Sequence, residues 1–216
     1  APQAGDLIVL VHKQDPSAGG IPGTITPPFS PGAAYGSINN GSFVYLTVWS
    51  KIASGSEGTS AAFTASGSVS DSVAGVLVYY SDTGGTLALD GSLQTVNDTS
   101  SGTTWSYPSL TTPSANCMAV IGVSGCENGP FGATAVFSGW GSFTERLDQA
   151  ISGSYSGLGM ADQLVATAQT LSAGTITSAL SDVSVGFGLV ITETGGGGGP
   201  PADAYVTMPP LAPPRR

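Results

Sequence analysis

Charged side chains are scarce in this chain: only 9% of its 216 residues are Asp, Glu, Lys or Arg, whereas about 25% is usual for soluble domains. Five residues are basic and 14 are acidic, so the net charge is -9. Phosphate-binding proteins need clustered Lys and Arg, which argues against nucleic acid and anionic membrane as partners. Solubility must instead come from hydroxyl, amide and backbone groups, which suits a rigid protein at high local concentration in an assembly.

Cysteine, histidine and long apolar runs are equally rare. Cys117 and Cys126 are the only cysteines and His12 is the only histidine. This supply does not suit a zinc site, and we expect neither a metal nor a cofactor. The two cysteines either form a disulfide or remain small buried thiols. No apolar stretch approaches the roughly 18 residues that span a bilayer, so we expect no membrane insertion.

No segment sustains a 3.6-residue apolar period, so almost no helix is expected. Short runs rich in Val, Ile, Thr, Tyr and Phe recur between clusters of Gly, Pro, Ser and Asn, as in β-strands. Within 183–189, large and small residues alternate, which fills one face and keeps the other slim. The pattern predicts an all-β, two-sheet antiparallel sandwich of jelly-roll type. The predicted strands are 7–12, 43–50, 61–65, 75–80, 118–124, 133–137, 144–150, 163–170 and 183–192.

Two long connections, 16–41 and 82–112, are predicted to be loops. Loops of this length usually carry function or lie against a partner. They contain four aromatic residues that either face outward, where they could stack on the rings of a glycan, or cap the ends of the sandwich: Phe29, Tyr35, Trp105 and Tyr107. A calcium site in the Asp90–Asp98 segment is the metal alternative, although the segment lacks a regular Asp-x-Asp-x-Asp-Gly pattern.

The C-terminal segment has a composition of its own. Residues 195–199 are five consecutive glycines, and prolines recur from Pro200 onward. Such a chain does not hold a conformation alone. We therefore divide the chain into a β-sandwich domain, 1–194, and a linker with an extended arm, 195–216, that lies on another subunit. The arm offers a partner these contact residues: Tyr205, Val206, Met208, Leu211, Arg215 and Arg216.

Several acidic residues have a structural explanation. Lys51 and Glu57 flank Gly55 and are spaced to form a salt bridge that fixes the turn. Asp6 precedes the first strand and can accept backbone N–H bonds from the adjacent turn, and Asp162 is expected to do the same.

The residues that a catalytic site would need are poorly placed. A Ser–His–Asp mechanism would have to use His12, with Asp15, but no nucleophile elbow is present. The carboxylates closest in sequence, as a glycosidase would need, are Glu127, Glu145 and Asp148, and surface positions are the simpler interpretation. We therefore expect no enzymatic activity.

Several short segments resemble a β-sandwich module of tailed-phage virion proteins, found in fibres, minor tail proteins and head decorations. They are 5–11 (GDLIVLV), 48–57 (VWSKIASGSE), 63–64 (FT), 75–81 (GVLVYYS), 161–163 (ADQ) and 186–191 (GFGLVI). The module often carries Gly-Trp-Thr in its first long loop, where this chain has GTIT at 23–26. The resemblance implies a structural or adhesive role in a virion and brings no catalytic residues.

The resulting expectation is a bacteriophage virion structural protein, a head decoration anchored by its arm to other virion proteins and to copies of itself. The alternative is a tail or fibre component that acts as a host-glycan-binding adhesin. A polysaccharide-degrading enzyme is the third hypothesis.

Overall fold

The computed structural model describes residues 1–16, 25–26, 34–39, 44–57, 64–65, 69–81, 84–126, 137–150, 156–195 and 201–205. Within these ranges the chain is all-β and antiparallel, with no helix. The strands are β1 Leu7–Pro16, β2 Ile25–Thr26, β3 Ala34–Asn39, β4 Tyr45–Ile52, β5 Thr64–Ala65, β6 Val69–Ser81, β7 Thr86–Tyr107, β8 Leu110–Thr112, β9 Cys117–Cys126, β10 Phe137–Ser138, β11 Thr144–Ala150, β12 Ser156–Val165, β13 Gln169–Leu171, β14 Gly174–Thr194 and β15 Pro201–Tyr205.

Two main sheets form the sandwich. The first sheet has the order β15-β6-β1-β4-β3, and the second has the order β10-β14-β9-β12-β11 with β7 also paired to β14. In the first sheet β1 is central, and its run Leu7–Val11 is apolar on both faces because both faces are buried. Two small ladders, β8 with β13 and β2 with β5, complete the described pairing.

The main core lies between the two sheets. It is built from alternate residues of each strand, including Val9, Val11 and Leu77 from the first sheet and Phe187 and Leu189 from the second. The alternation of large and small residues in 183–189 is confirmed. Val185, Phe187 and Leu189 enter this core, and Gly186 and Gly188 face away from it.

A second core covers the outer face of the second sheet. Trp105, Phe137 and Trp140, here called the outer aromatic cluster, pack there with Trp105 and Phe137 ring centroids 5.3 Å apart. Glycines provide the space for these rings. A Cβ added at Gly125 would lie 2.3 Å from the Trp105 ring, and one at Gly159 would lie 2.5 Å from the Phe137 ring. Glycine in these strands therefore permits close packing of large rings.

The predicted all-β antiparallel sandwich is confirmed, but the jelly-roll strand order is not. Apart from the two small ladders, strands up to residue 81 form the first sheet with β15, and strands from residue 86 to 194 form the second. A jelly roll would instead interleave its strands as two Greek keys. The prediction of a loop over 82–112 was wrong for most of its length, because β7 occupies 86–107 and pairs with the equally long β14.

Candidate functional site

The C-terminal arm begins as a strand at the edge of the first sheet. Pro201 lies opposite Ser81, Ala202 opposite Tyr80 and Tyr205 opposite Val78 in an antiparallel pairing with β6. A proline at the first position of an edge strand is compatible with this pairing, because no inward N–H is needed there. The first five residues of the arm therefore belong to the sheet of their own chain, so the sandwich extends beyond residue 194.

This pairing gives residues 201–205 a partner strand in their own chain, and the expectation that the arm lies on another subunit stays a prediction. Backbone hydrogen bonds to β6, which side-chain pattern does not reveal, place the strand of Tyr205 on its own sheet. The remaining predicted contact residues, Val206, Met208, Leu211, Arg215 and Arg216, lie outside the described residues, and their assignment stays a prediction.

The end of β14, from which the linker leads to the arm, is hydrogen-bonded to the end of β6. The Ser81 hydroxyl donates a short hydrogen bond to Glu193 Oε1, and the Gly85 N–H lies 3.0 Å from the same oxygen and 2.8 Å from Ser81 Oγ. Gly195 follows with a φ of 79°, a left-handed conformation that favours glycine. The linker therefore starts beside the strand edge that β15 covers.

Of the four candidate glycan-binding aromatics, the structure describes the side chains of Trp105 and Tyr107. Trp105 is fully buried, and its indole N–H donates to the Gly102 carbonyl oxygen at 2.8 Å. Trp105 thus does not face outward, because Gly125 leaves a slot beneath its ring. Tyr107 is half-buried and packs edge-on against Phe143.

The other two aromatics are not tested. Phe29 and the side chain of Tyr35 lie outside the described residues.

The predicted salt bridge at the turn after β4 is present, with Lys51 Nζ 2.9 Å from Glu57 Oε1. The Glu57 carboxylate also accepts the backbone N–H of Ser54 at 2.8 Å and of Gly55 at 2.9 Å. The bond from the Ser54 N–H, followed by the one from Lys51, lowers the pKa of Glu57 to about 2. Asp6 accepts the Gln3 N–H at 2.7 Å, so its predicted turn role is confirmed. Glu57 and Asp6 thus each stabilise a local turn by accepting backbone N–H bonds.

Asp162 has a different role from the predicted turn acceptor. It is buried and accepts from Arg146 Nε at 2.8 Å and from the Tyr79 hydroxyl at 3.2 Å. Tyr79 belongs to the first sheet and Asp162 to the second, so this triad joins the two sheets by polar contacts. Burial, reinforced by the Asp162 charge, raises the pKa of Tyr79 well above its usual value. The lone arginine of the sandwich was the only sequence signal for this triad.

The side chains considered for catalysis are occupied by structural contacts. His12 is 2% exposed, and burial, followed by the neighbouring Lys13 charge, lowers the pKa of His12 to about 3, so it is neutral at pH 7. Glu145 accepts the Trp140 indole N–H at 2.7 Å, and Asp148 accepts the Phe137 N–H at 3.2 Å.

Glu127 lies outside the described residues, and the proposed calcium segment is part of β7. Asp98 there accepts the Ser106 N–H at 2.7 Å and the Ser184 hydroxyl at 3.1 Å. Across the described ranges, no three His, Cys, Asp or Glu side chains group together as metal ligands would.

The cysteines occupy opposite ends of one strand. Cys117 begins β9 and Cys126 ends it, so about 30 Å of extended chain separates them. A disulfide requires Cα atoms about 4.4–6.8 Å apart, which excludes a bridge between these two residues of one chain. Cys117 is a buried free thiol, as the alternative interpretation predicted.

The comparisons with known proteins leave the family open. No protein-family model, no curated protein and no solved structure matches this chain. Among the described segments there is no helix of the length and apolarity that crosses a bilayer.

Proposed function

We propose that this chain is a bacteriophage virion structural protein, a head decoration that acts without catalysing a reaction. In this role the sandwich is a rigid knob on the particle surface. The C-terminal arm fastens the knob to neighbouring virion subunits, including other copies of this chain.

The observation that carries this proposal is the position of the arm. β15 runs along the outer edge of the first sheet, and the contact residues Val206 to Arg216 continue from its end. Addition of an extended segment to a neighbouring sheet edge by backbone hydrogen bonds is a general mode of protein assembly, and this supports the proposal. Ordering it there costs chain entropy, so many copies are needed for firm attachment.

The rigidity of the knob also supports the proposal. The two main sheets enclose one core, the outer aromatic cluster closes a second, and the Tyr79–Asp162–Arg146 triad joins the sheets. A low supply of charge is compatible with close approach of many copies. The segments that resemble tailed-phage virion modules point to the same class of protein.

The adhesin alternative has less support among the described residues. It relied on aromatic rings that face solvent, and the Trp105 ring is fully buried. We therefore retain head decoration as the proposed role.

The test is incorporation of arm variants into particles. Three forms of the protein would each replace the native chain: one that ends at Tyr205, one in which 206–216 is replaced by a Gly–Ser segment of equal length, and Gln94→Ala as an exposed-surface control. Copies per purified particle would be measured by quantitative mass spectrometry. We expect the first two forms to be lost from particles and the control to be retained. Full incorporation of the form that ends at Tyr205 would refute the proposal that residues 206–216 anchor the protein.

A further inference from the structure

We propose that β15 is an exchangeable strand: the β6 edge that it covers is also the docking site for residues 201–205 of a second copy of this chain. This inference deepens the proposed function, on which it rests for its biological setting, by naming the surface that receives the arm.

The receiving surface is a strand edge that needs a partner. β6 pairs with β1 on one side from Val69 to Tyr79, and its other side is covered only by β15 in the described part of the chain. An uncovered edge exposes backbone N–H and C=O groups that template pairing with another strand. The β6 run Val76–Tyr80 is also apolar and rich in β-forming residues, which strengthens that tendency.

The strand that covers this edge is weakly held. β15 is five residues long, starts with Pro201, and pairs with β6 at three positions with a register shift between Ala202 and Tyr205. Because only three residue pairs are in register, the pairing contains few hydrogen bonds. A short ladder of this kind opens at a small cost in free energy.

The linker allows both closed and exchanged forms. Within one chain, Ser81 contacts Glu193 and also lies opposite Pro201, so the path back to the chain's own edge is short. From Thr194 to Pro201 an extended chain reaches at most about 25 Å, far enough to reach a neighbouring molecule in close contact. Because glycine restricts backbone dihedral angles little, the five glycines of 195–199 are compatible with either the closed or the exchanged form.

The two forms make identical strand contacts, because the exchanged strand has the same sequence as the one it replaces. The two forms differ in the entropy of the linker, and only the exchanged form depends on protein concentration. A short flexible linker gives an effective concentration of about 1 mM, so the closed form dominates in dilute solution. Exchange becomes favourable when copies are crowded, as they are in a repeated assembly, and it carries 206–216 onto the neighbour.

The test is disulfide trapping between two different chains. Tyr80 and Ala202 are directly opposite in the β6–β15 register, and cysteines introduced at opposite positions of paired strands can be bridged. In full-length protein with Cys117→Ser and Cys126→Ser, a Tyr80→Cys chain would be mixed with a mass-tagged Ala202→Cys chain under oxidising conditions. The matched control replaces the Tyr80→Cys chain with Gln94→Cys, an exposed position on β7. Heterodimer would be counted by non-reducing mass analysis.

We expect about ten-fold more heterodimer than in the control, and a rate of formation that rises with protein concentration towards the millimolar range. A Ser81→Cys chain mixed with Pro201→Cys gives a second trap at an adjacent register position. Heterodimer no more abundant than the control in both traps would overturn the exchange. This experiment uses the purified chain alone, whereas anchoring by residues 206–216 is measured in particles. The two proposals can therefore fail independently.

Discussion

Gly186 offers the sharpest test of the close packing on the outer face of the second sheet. It lies in β14, and its φ is not in the left-handed region, so replacement by Ala adds no backbone strain. The added Cβ would lie 2.0 Å from the Ser106 carbonyl oxygen and 2.8 Å from Val96 Cγ1. A side chain could change rotamer to avoid the added Cβ, but the Ser106 carbonyl oxygen belongs to the backbone. The β7 backbone itself must therefore shift.

The expected cost follows from how firmly that chain is held. Ser106 donates its N–H and its hydroxyl to Asp98, at 2.7 Å and 3.1 Å. Overpacking typically costs about 1–3 kcal/mol, and the restraint at Ser106 places this site at the upper end. Replacing glycine by alanine returns about 0.4–1 kcal/mol through the unfolded state. We expect Gly186→Ala to lower the free energy of unfolding by about 2 kcal/mol.

The assay is urea denaturation followed by tryptophan fluorescence, with Gly102→Ala as the matched control. Gly102 is also in β7, but the nearest atom to its added Cβ is Thr104 N at 3.9 Å. The control should therefore be within about 0.5 kcal/mol of the native chain, or slightly more stable. Equal stability of the two variants would refute the packing argument.

Three further predictions concern buried groups. Trp105→Ala should lower the free energy of unfolding by about 3–5 kcal/mol in denaturation, and a loss below about 1 kcal/mol would contradict a fully buried ring. His12 stays neutral in the folded chain but gains a proton when unfolded below its ordinary pKa of 6.5. Stability should thus fall by about 1.4 kcal/mol for each pH unit below 6.5 and level off near pH 3. His12→Gln should remove this slope between pH 6.5 and pH 4.5, above the range in which Glu57 takes up a proton, and a slope that persists there in the variant would assign it to other groups. Asp162→Asn should cost about 3 kcal/mol, because it leaves the Arg146 charge without its carboxylate. Adding Arg146→Met should recover part of that loss, and a double variant as unstable as the single one would contradict the ion-pair explanation.

The sequence identified the strands whose own pattern is strong. The apolar runs at β1, β4, β6 and β9 and the alternation in β14 are local signals, because each strand has at least one face in a core. Thr144–Ala150 was predicted with its observed bounds. The turn contact between Lys51 and Glu57 was also accessible, since its partners are close in sequence.

The features that sequence reasoning missed depend on distant partners. β7 is rich in Ser and Thr and resembles a loop, and it becomes a strand because β14 pairs along its length. Trp105 stands in that polar segment, and its burial depends on the slot at Gly125, twenty residues further along the chain. β15 is defined by its pairing with β6, a strand far away in the sequence, so a local pattern does not reveal it.

The most direct measurement is the structure of residues 201–216 inside an intact particle, by cryo-electron microscopy supported by crosslinking mass spectrometry. The account predicts that residues 206–216 contact a different polypeptide from the one whose sandwich they follow. The account would be contradicted if residues 206–216 contact only their own sandwich in every copy. It would also be contradicted if purified particles do not contain this chain.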